Sequence, residues 1–207
     1  MSRLLVVAAL VCAGTAQAQT PWHVSAGLAG TREIINSRAG AVDARLTGTV
    51  FSGEALVARR HVVGRLRYGQ GRVSDETVSR DVALGEVLLG YEAREWLTLW
   101  VGPQARTFTA PGLSDRRWLF WTARVSARGG IFPGKLDGVG EVWRGFGGRL
   151  SRPEVAASGG GVEFGLEARP FARPFGARLA YRIEQGRATG GFRETVEGFT
   201  LTLSYRR

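Results

Sequence analysis

Apolar and polar residues alternate along most of the chain beyond residue 19, and this period of two is clearest near the C-terminus. Between Phe199 and Arg206, aromatic and leucine side chains alternate with threonine, serine and arginine. Successive side chains of a strand point to opposite faces, so this pattern predicts a β-strand with one apolar and one polar face. The alternation recurs along the chain and predicts ten strands: residues 22–31, 44–58, 62–72, 80–91, 96–108, 117–129, 138–150, 160–170, 174–187 and 195–206.

The predicted strands are long. Strands of globular sheets usually have about five or six residues, whereas a strand inclined at about 45° needs roughly 9–11 residues to cross a bilayer. Most of the ten segments reach that length. The pattern therefore predicts an all-β fold, a closed antiparallel transmembrane β-barrel of ten strands, with eight strands as the alternative.

Segment 44–58 departs from simple alternation. Leu46 and Val50 are in phase with each other but out of phase with Phe51 and Val57. A one-residue β-bulge at 51–53 would restore a single apolar face.

Segment 138–150 also departs from it, because Val142, Phe146 and Leu150 share a face with Arg144. An arginine facing the middle of a bilayer costs about 2–4 kcal/mol. Either the phase differs there or Arg144 lies near an interface. Residues 75–97 also permit a helix, although Gly85 and Gly90 weaken that interpretation.

The predicted connections alternate between short turns and longer polar loops. The short ones lie at 59–61, 92–95, 130–137 and 170–174, and the longer ones at 32–43, 73–79, 109–116, 151–159 and 188–194. Aromatic residues are expected to form belts at the two ends of such a barrel. The turn-end belt comprises Trp22, Tyr91, Trp96, Phe132, Phe171, Phe175 and Tyr205, and the loop-end belt comprises Tyr68, Phe108, Trp118 and Phe146.

The N-terminus has the three parts of a secretory signal peptide. Arg3 supplies the positive charge, residues 4–11 are almost all apolar, and Ala16-Gln17-Ala18 provides small residues at a cleavage site. The prediction is a cleaved signal peptide at 1–18 and an exported barrel domain at 19–207. A buried N-terminal strand or helix is the alternative.

The signal peptide, long alternating strands, aromatic belts and terminal Gly198-x-x-Leu201-x-Leu203-x-Tyr205 together resemble small bacterial outer-membrane β-barrel proteins. The resemblance covers the mature chain and identifies no single family. It implies an outer-membrane location, contact with membrane lipids and lipopolysaccharide, and a last strand read by the barrel-assembly machinery. Arg206 and Arg207 follow Tyr205 here, which departs from the usual aromatic ending.

Composition excludes several other classes. A single cysteine among 207 residues excludes a disulfide framework and a cysteine-based zinc site, and 30 glycines argue against a helical bundle. The net charge of +10 raises the question of nucleic acid, but the basic residues are dispersed and the chain is expected to be exported. No nucleic-acid partner, metal or cofactor is predicted.

If the apolar face meets lipid, the polar face fills the barrel. We expect an Arg–Glu network to block or narrow this lumen, because charges facing hydrocarbon are costly. It is either structural filling or the lining of a restrictive pore that favours small anions. The predicted network comprises Glu54, Glu86, Glu163, Glu167 and Glu184, with Arg65, Arg67, Arg106, Arg124, Arg128, Arg178 and Arg182.

Arginines on the loop side could contact lipopolysaccharide phosphates, which a guanidinium group binds in bidentate fashion. Ordinary solvated charge is the alternative for each of them. The candidates are Arg32, Arg38, Arg80, Arg116, Arg117, Arg149, Arg152 and Arg193.

Two further functions stay open at this point. A soluble periplasmic barrel that binds an apolar ligand would turn the apolar face inward, and alternation alone does not distinguish inside from outside. An enzyme acting on lipid A would need a positioned base, yet both histidines, His23 and His61, fall at the turn end. We expect no enzymatic activity.

Overall fold

The computed structural model describes residues 21–40, 42–110, 115–151, 155–168 and 174–206. Within these ranges no helix has the length and apolar character needed to cross a membrane. The strands are β1 (His23–Ala39), β2 (Val42–Arg59), β3 (Val62–Ser74), β4 (Ser79–Arg94), β5 (Leu97–Thr109), β6 (Arg116–Phe132), β7 (Leu136–Ser151), β8 (Val155–Ala168), β9 (Phe175–Ala188) and β10 (Arg193–Arg206). The predicted signal peptide lies outside the described residues.

The ten strands form one closed antiparallel barrel. Each strand pairs with its neighbours in the chain, and β1 closes the sheet by pairing with β10 from Ser25–Arg206 to Arg38–Arg193. Closure leaves no sheet edge exposed. The predicted all-β barrel of ten strands is confirmed, whereas the eight-strand count and the helix over residues 75–97 are wrong.

Several strands run beyond their predicted bounds towards the loop end, where the β1–β2, β3–β4, β5–β6, β7–β8 and β9–β10 connections lie. The expected loop at 32–43 is wrong, because β1 continues to Ala39 and β2 begins at Val42. Pairing continues through Arg38 and Asp43. The alternation fades there because both faces carry polar residues: Arg32 and Asn36 face outward, and Glu33 and Ser37 face inward.

The outer surface carries a continuous apolar belt. Leu28 is 75% exposed, and Phe51, Leu89, Phe164 and Leu203 also point away from the barrel. Every strand exposes large apolar side chains in this way. Their contact with water would be energetically unfavourable, whereas contact with lipid is favourable. The soluble alternative with an apolar interior formed by these residues is therefore wrong.

Two residues of the predicted loop-end aromatic belt lie inside the barrel. Phe108 is fully buried and Trp118 is 3% exposed, because they are in phase with inward-facing Arg106 and Phe120. Tyr68 and Phe146 are exposed on the outside, as are Phe51, Trp121 and Phe199 at similar positions along their strands. At the opposite end the expected aromatics are exposed, except Phe171, which lies outside the described residues.

The two irregular segments resolve differently. β2 pairs with β1 and β3 without a register shift, so the expected bulge at 51–53 is wrong; Leu46 and Val50 simply face inward. In β7 the register shifts between Gly145 and Gly148, and Gly147 has a φ of 57° that favours glycine. The bulge changes the phase, so that Val142, Arg144 and Phe146 face outward while Leu150 faces inward.

The connection at 75–78 is held by Asp75. Its Oδ1 accepts hydrogen bonds from the backbone N–H groups of Thr77 and Val78 and from the Thr77 hydroxyl. These donors favour the ionised carboxylate and hold the pKa of Asp75 below its usual value. The β3–β4 loop is therefore a tight turn rather than an open segment.

Candidate functional site

The lumen is closed at the loop end by an apolar plug. The loop-end halves of most strands place their inward side chains in one packed cluster: Ile35, Leu46, Val50, Val73, Val82, Leu84, Phe108, Trp118, Phe120, Leu150 and Val196. Trp118 and Phe120 stack with ring centroids 5.7 Å apart. The sequence prediction of a charged lumen missed this layer, because it treated the inward face as polar along its whole length.

A buried ion pair lies above the plug at the mouth of the barrel. Arg116 Nη2 is 2.6 Å from Glu194 Oε2, and the guanidinium lies over the rings of Phe108 and Phe192 at 4.8 and 4.9 Å. The expectation that Arg116 contacts lipid phosphate is therefore corrected, because it points into the mouth. Arg80 is in phase with Val82 on the inward face of β4 and is likewise not on the lipid-facing surface.

Below the plug, four charged residues join opposite walls of the barrel. Arg65 on β3 makes a bidentate contact with Glu141 on β7, at 2.9 and 3.0 Å, and its Nε is 3.1 Å from Glu86. Arg124 on β6 bonds the same two carboxylates, with 2.8 Å to Glu141. Trp100 lies against the Arg65 guanidinium and Trp143 against that of Arg124. This central network spans the lumen from β3 and β4 to β6 and β7.

A second group of charges lies between the central network and the plug. Glu33 Oε1 on β1 is 3.4 Å from Arg106 on β5 and 3.1 Å from Arg182 on β9. Arg106 also lies 3.5 Å from Glu184. Gln104 connects the two groups by donating to Glu184 at 2.8 Å and accepting from Arg124 at 2.9 Å.

The connected charges balance. Arg65, Arg106, Arg124 and Arg182 are joined to Glu33, Glu86, Glu141 and Glu184. Buried charges are tolerated only when paired and hydrogen-bonded, and loss of one partner leaves an uncompensated charge. The sequence prediction omitted Glu33, because it was assigned to a loop, and Glu141, because the phase of β7 was unclear.

The remaining predicted lumen residues line a cavity of about 400 Å³ at the turn end. Glu163 bonds Arg178, and Glu167 bonds both Arg128 and Arg206 at 2.7 Å. Glu54 and Arg67 line the same cavity, and neither has an ion pair within the described part of the chain. His23, Glu92 and Trp96 form part of its rim, so the cavity extends to the turn end, whereas the plug closes the loop end.

The candidate lipid-contacting arginines divide by orientation. Arg32, Arg38, Arg117, Arg149 and Arg193 are exposed on the outer face, whereas Arg80 and Arg116 face the mouth. Arg152 lies outside the described residues. Among the residues that are described, no group of three or more histidine, cysteine or acidic side chains is arranged to hold a metal ion.

Comparison with known proteins identifies the fold. No family model and no curated protein matches the chain. Among solved structures, the translocator domain of the autotransporter NalP from Neisseria meningitidis is similar, with a TM-score of 0.50 and 10% identity over 88% of each chain. The chain has the fold of an outer-membrane β-barrel.

Two further solved structures are similar at lower scores. The COG4313 outer membrane channel from Pseudomonas putida F1 has a TM-score of 0.48 and 13% identity, covering 96% of this chain and 99% of that one. Neisserial surface protein A has a TM-score of 0.43 and 9% identity, covering 89% and 96%.

Proposed function

We propose that this protein is a closed outer-membrane barrel with a structural or binding role rather than a solute channel. In this orientation the turn end faces the periplasm and the loop end faces outward, because the hairpins extend as polar strands beyond the apolar belt at the loop end, and the longer extramembrane parts of outer-membrane barrels lie outside the cell. The observation that carries the proposal is the double closure of the lumen, by the apolar plug and by the central network beneath it.

The central network is ill suited to ion passage. Each guanidinium group bonds two carboxylates from different strands, so an entering anion would have to displace paired carboxylates. Above it, most side chains of the plug, such as Phe108 and Phe120, offer no polar group to a hydrated ion. A small anion would thus lose its hydration without gaining partners.

The proposal includes no catalytic step. His23 lines the turn-end cavity and His61 lies in the β2–β3 turn, at the opposite end from the outer leaflet. Outer-leaflet lipid A would be out of reach of both imidazoles.

Conductance in planar lipid bilayers tests the closed lumen. The expected result is no stable current step from protein that is shown to be folded and inserted by flotation with lipid vesicles and by heat-modifiable migration on gels. Arg72→Ala, which alters only an exposed outer pair with Asp81, is the matched control and should be equally silent. Stable, anion-selective steps from the wild-type protein would overturn the proposal.

A further inference from the structure

The outer surface is strongly basic towards the loop end. Three carboxylates, Asp43, Asp81 and Glu197, share this part of the outer face with a larger set of arginines. The arginines are Arg32, Arg38, Arg45, Arg72, Arg117, Arg149, Arg187 and Arg193. Most of this positive charge lies at the loop-end margin of the apolar belt on the lipid-facing side.

Three of these arginines stand side by side on adjacent strands. Arg187 on β9 is the register partner of Arg193 on β10, and Arg193 is the register partner of Arg38 on β1. Directly opposed residues of an antiparallel pair have their Cβ atoms about 4.5–5.5 Å apart, and like charges there are destabilising. Such a row requires a compensating negative charge.

Among the described residues, that charge is supplied only at one end of the row. Asp43 bonds Arg38 in bidentate fashion, with 2.6 Å to Nε and 2.8 Å to Nη2. Arg187 and Arg193 are exposed and have no acidic partner among the described residues. Two adjacent guanidinium groups are thus available to an external anion.

The next row towards the apolar belt is polar as well. Gln185, Thr195 and Asn36 are successive register partners on β9, β10 and β1, and Arg45 follows on β2. All four point outward, so they offer amide and hydroxyl groups directly below the arginine row. One row further, Ile183 on β9 and Ile34 on β1 flank Glu197 on β10, whose carboxylate accepts a hydrogen bond from Tyr181 at 2.9 Å.

We propose that this patch, formed by Arg38, Arg45, Arg187 and Arg193 with Asn36, Gln185 and Thr195, binds the phosphorylated sugar headgroup of lipopolysaccharide. Arginine binds phosphate in a planar, bidentate geometry, and the amide and hydroxyl groups below the arginine row suit sugar hydroxyls. A lipid rather than a soluble phosphate is the ligand because the patch lies on the outward face directly above the apolar belt. The inference rests on the proposed orientation of the barrel.

Binding to immobilised or nanodisc-embedded full-length protein tests this site. The probes are lipopolysaccharide, the same lipopolysaccharide after enzymatic dephosphorylation, inorganic phosphate and phosphatidylglycerol. We expect lipopolysaccharide to bind most tightly of the four probes. Dephosphorylation of the lipopolysaccharide should weaken binding at least about tenfold, and so should the double variant Arg187→Gln/Arg193→Gln. The control pair Arg72→Gln/Arg117→Gln, on other strands of the outer face, should leave the affinity within about twofold.

Three outcomes would overturn the site: equal affinity of the patch double variant and wild type, indifference to dephosphorylation, or equal loss in the control pair. Preferential binding of inorganic phosphate or phosphatidylglycerol would also overturn it in favour of a generic anion surface. The same preparations are measured for conductance. A conducting protein that binds lipopolysaccharide refutes only the closed lumen, and a silent protein that does not bind refutes only this site.

Discussion

At the scale of single residues, the central network and the outer ion pairs have the same chemistry in opposite surroundings. Arg65, Arg124, Glu86 and Glu141 are all about one-tenth exposed or less. The pair formed by Arg72 and Asp81 is more than half exposed on each side chain. Water screens the outer pair, whereas nothing replaces a missing partner in the lumen.

Glu141→Gln should therefore lower the free energy of unfolding by about 3 kcal/mol. This is the lower end of the range for breaking a buried pair, because Glu86 still bonds both guanidinium groups. Reversible urea unfolding in lipid vesicles measures the change. The matched Asp81→Asn should change stability little, and equal effects of the two variants would contradict the network's structural role.

At the same scale, the twelve charged residues that alternation predicted for the lumen lie on the inward faces of their strands, but alternation did not predict their partners. Which arginine bonds which carboxylate depends on which strands face each other across the barrel, and alternation along one strand carries no such information. Arg67 illustrates this point, since it faces inward in phase with Arg65 yet makes no ion pair in the part of the chain that is described.

At the scale of strands, inward glycines lie opposite inward tryptophans. Gly90 on β4 is the register partner of Trp100 on β5, and Gly161 on β8 is the register partner of Trp143 on β7. Each indole ring occupies the space that a Cβ atom at the facing glycine would need. The absence of a Cβ thus lets large rings pack against the barrel wall and against the arginines beside them.

Gly161→Ala should destabilise the barrel by about 1–3 kcal/mol, as overpacking commonly does. Its Cβ would meet the Trp143 ring and would lie 2.5 Å from the Ile183 carbonyl oxygen, which is backbone and cannot rotate away. The urea midpoint and the heat-modifiable gel shift measure the effect. Gly85→Ala is the control, because its Cβ meets no atom within 4 Å; a larger loss at Gly85 than at Gly161 would refute the explanation.

Strand phase could be predicted wherever the outer face lies in the apolar belt, and not beyond it. β10 was predicted almost to the residue because Phe199, Leu201 and Leu203 meet lipid while their neighbours are polar. In β1 the pattern ended at residue 31, because beyond it the outward residues Arg32, Asn36 and Arg38 are polar too. The bulge at Gly147 was also missed, since a single glycine with positive φ leaves no periodic signal.

At the scale of the whole molecule, the barrel is layered along its axis. The loop end holds the mouth pair and the apolar plug, the middle holds balanced buried charges, and the turn end holds a cavity of about 400 Å³. The outer surface has a different layering, with an apolar belt below a basic rim. The exposed arginines of this rim lie outside the lumen, where they can meet anionic lipid.

The most direct test of this account is site-directed spin labelling along β10 in reconstituted vesicles. Cys12 is the only cysteine, so labels at Leu201→Cys, Thr202→Cys and Leu203→Cys are unique in a chain cleaved after residue 18, or in a Cys12→Ser background. Collision rates with lipid-soluble oxygen and with a water-soluble nickel chelate report the surroundings of each label. We predict high oxygen and low nickel rates at 201 and 203, with low oxygen rates at 202. High oxygen rates at 202 with low rates at 201 and 203, or no alternation, would contradict a membrane-spanning barrel with its apolar face outward.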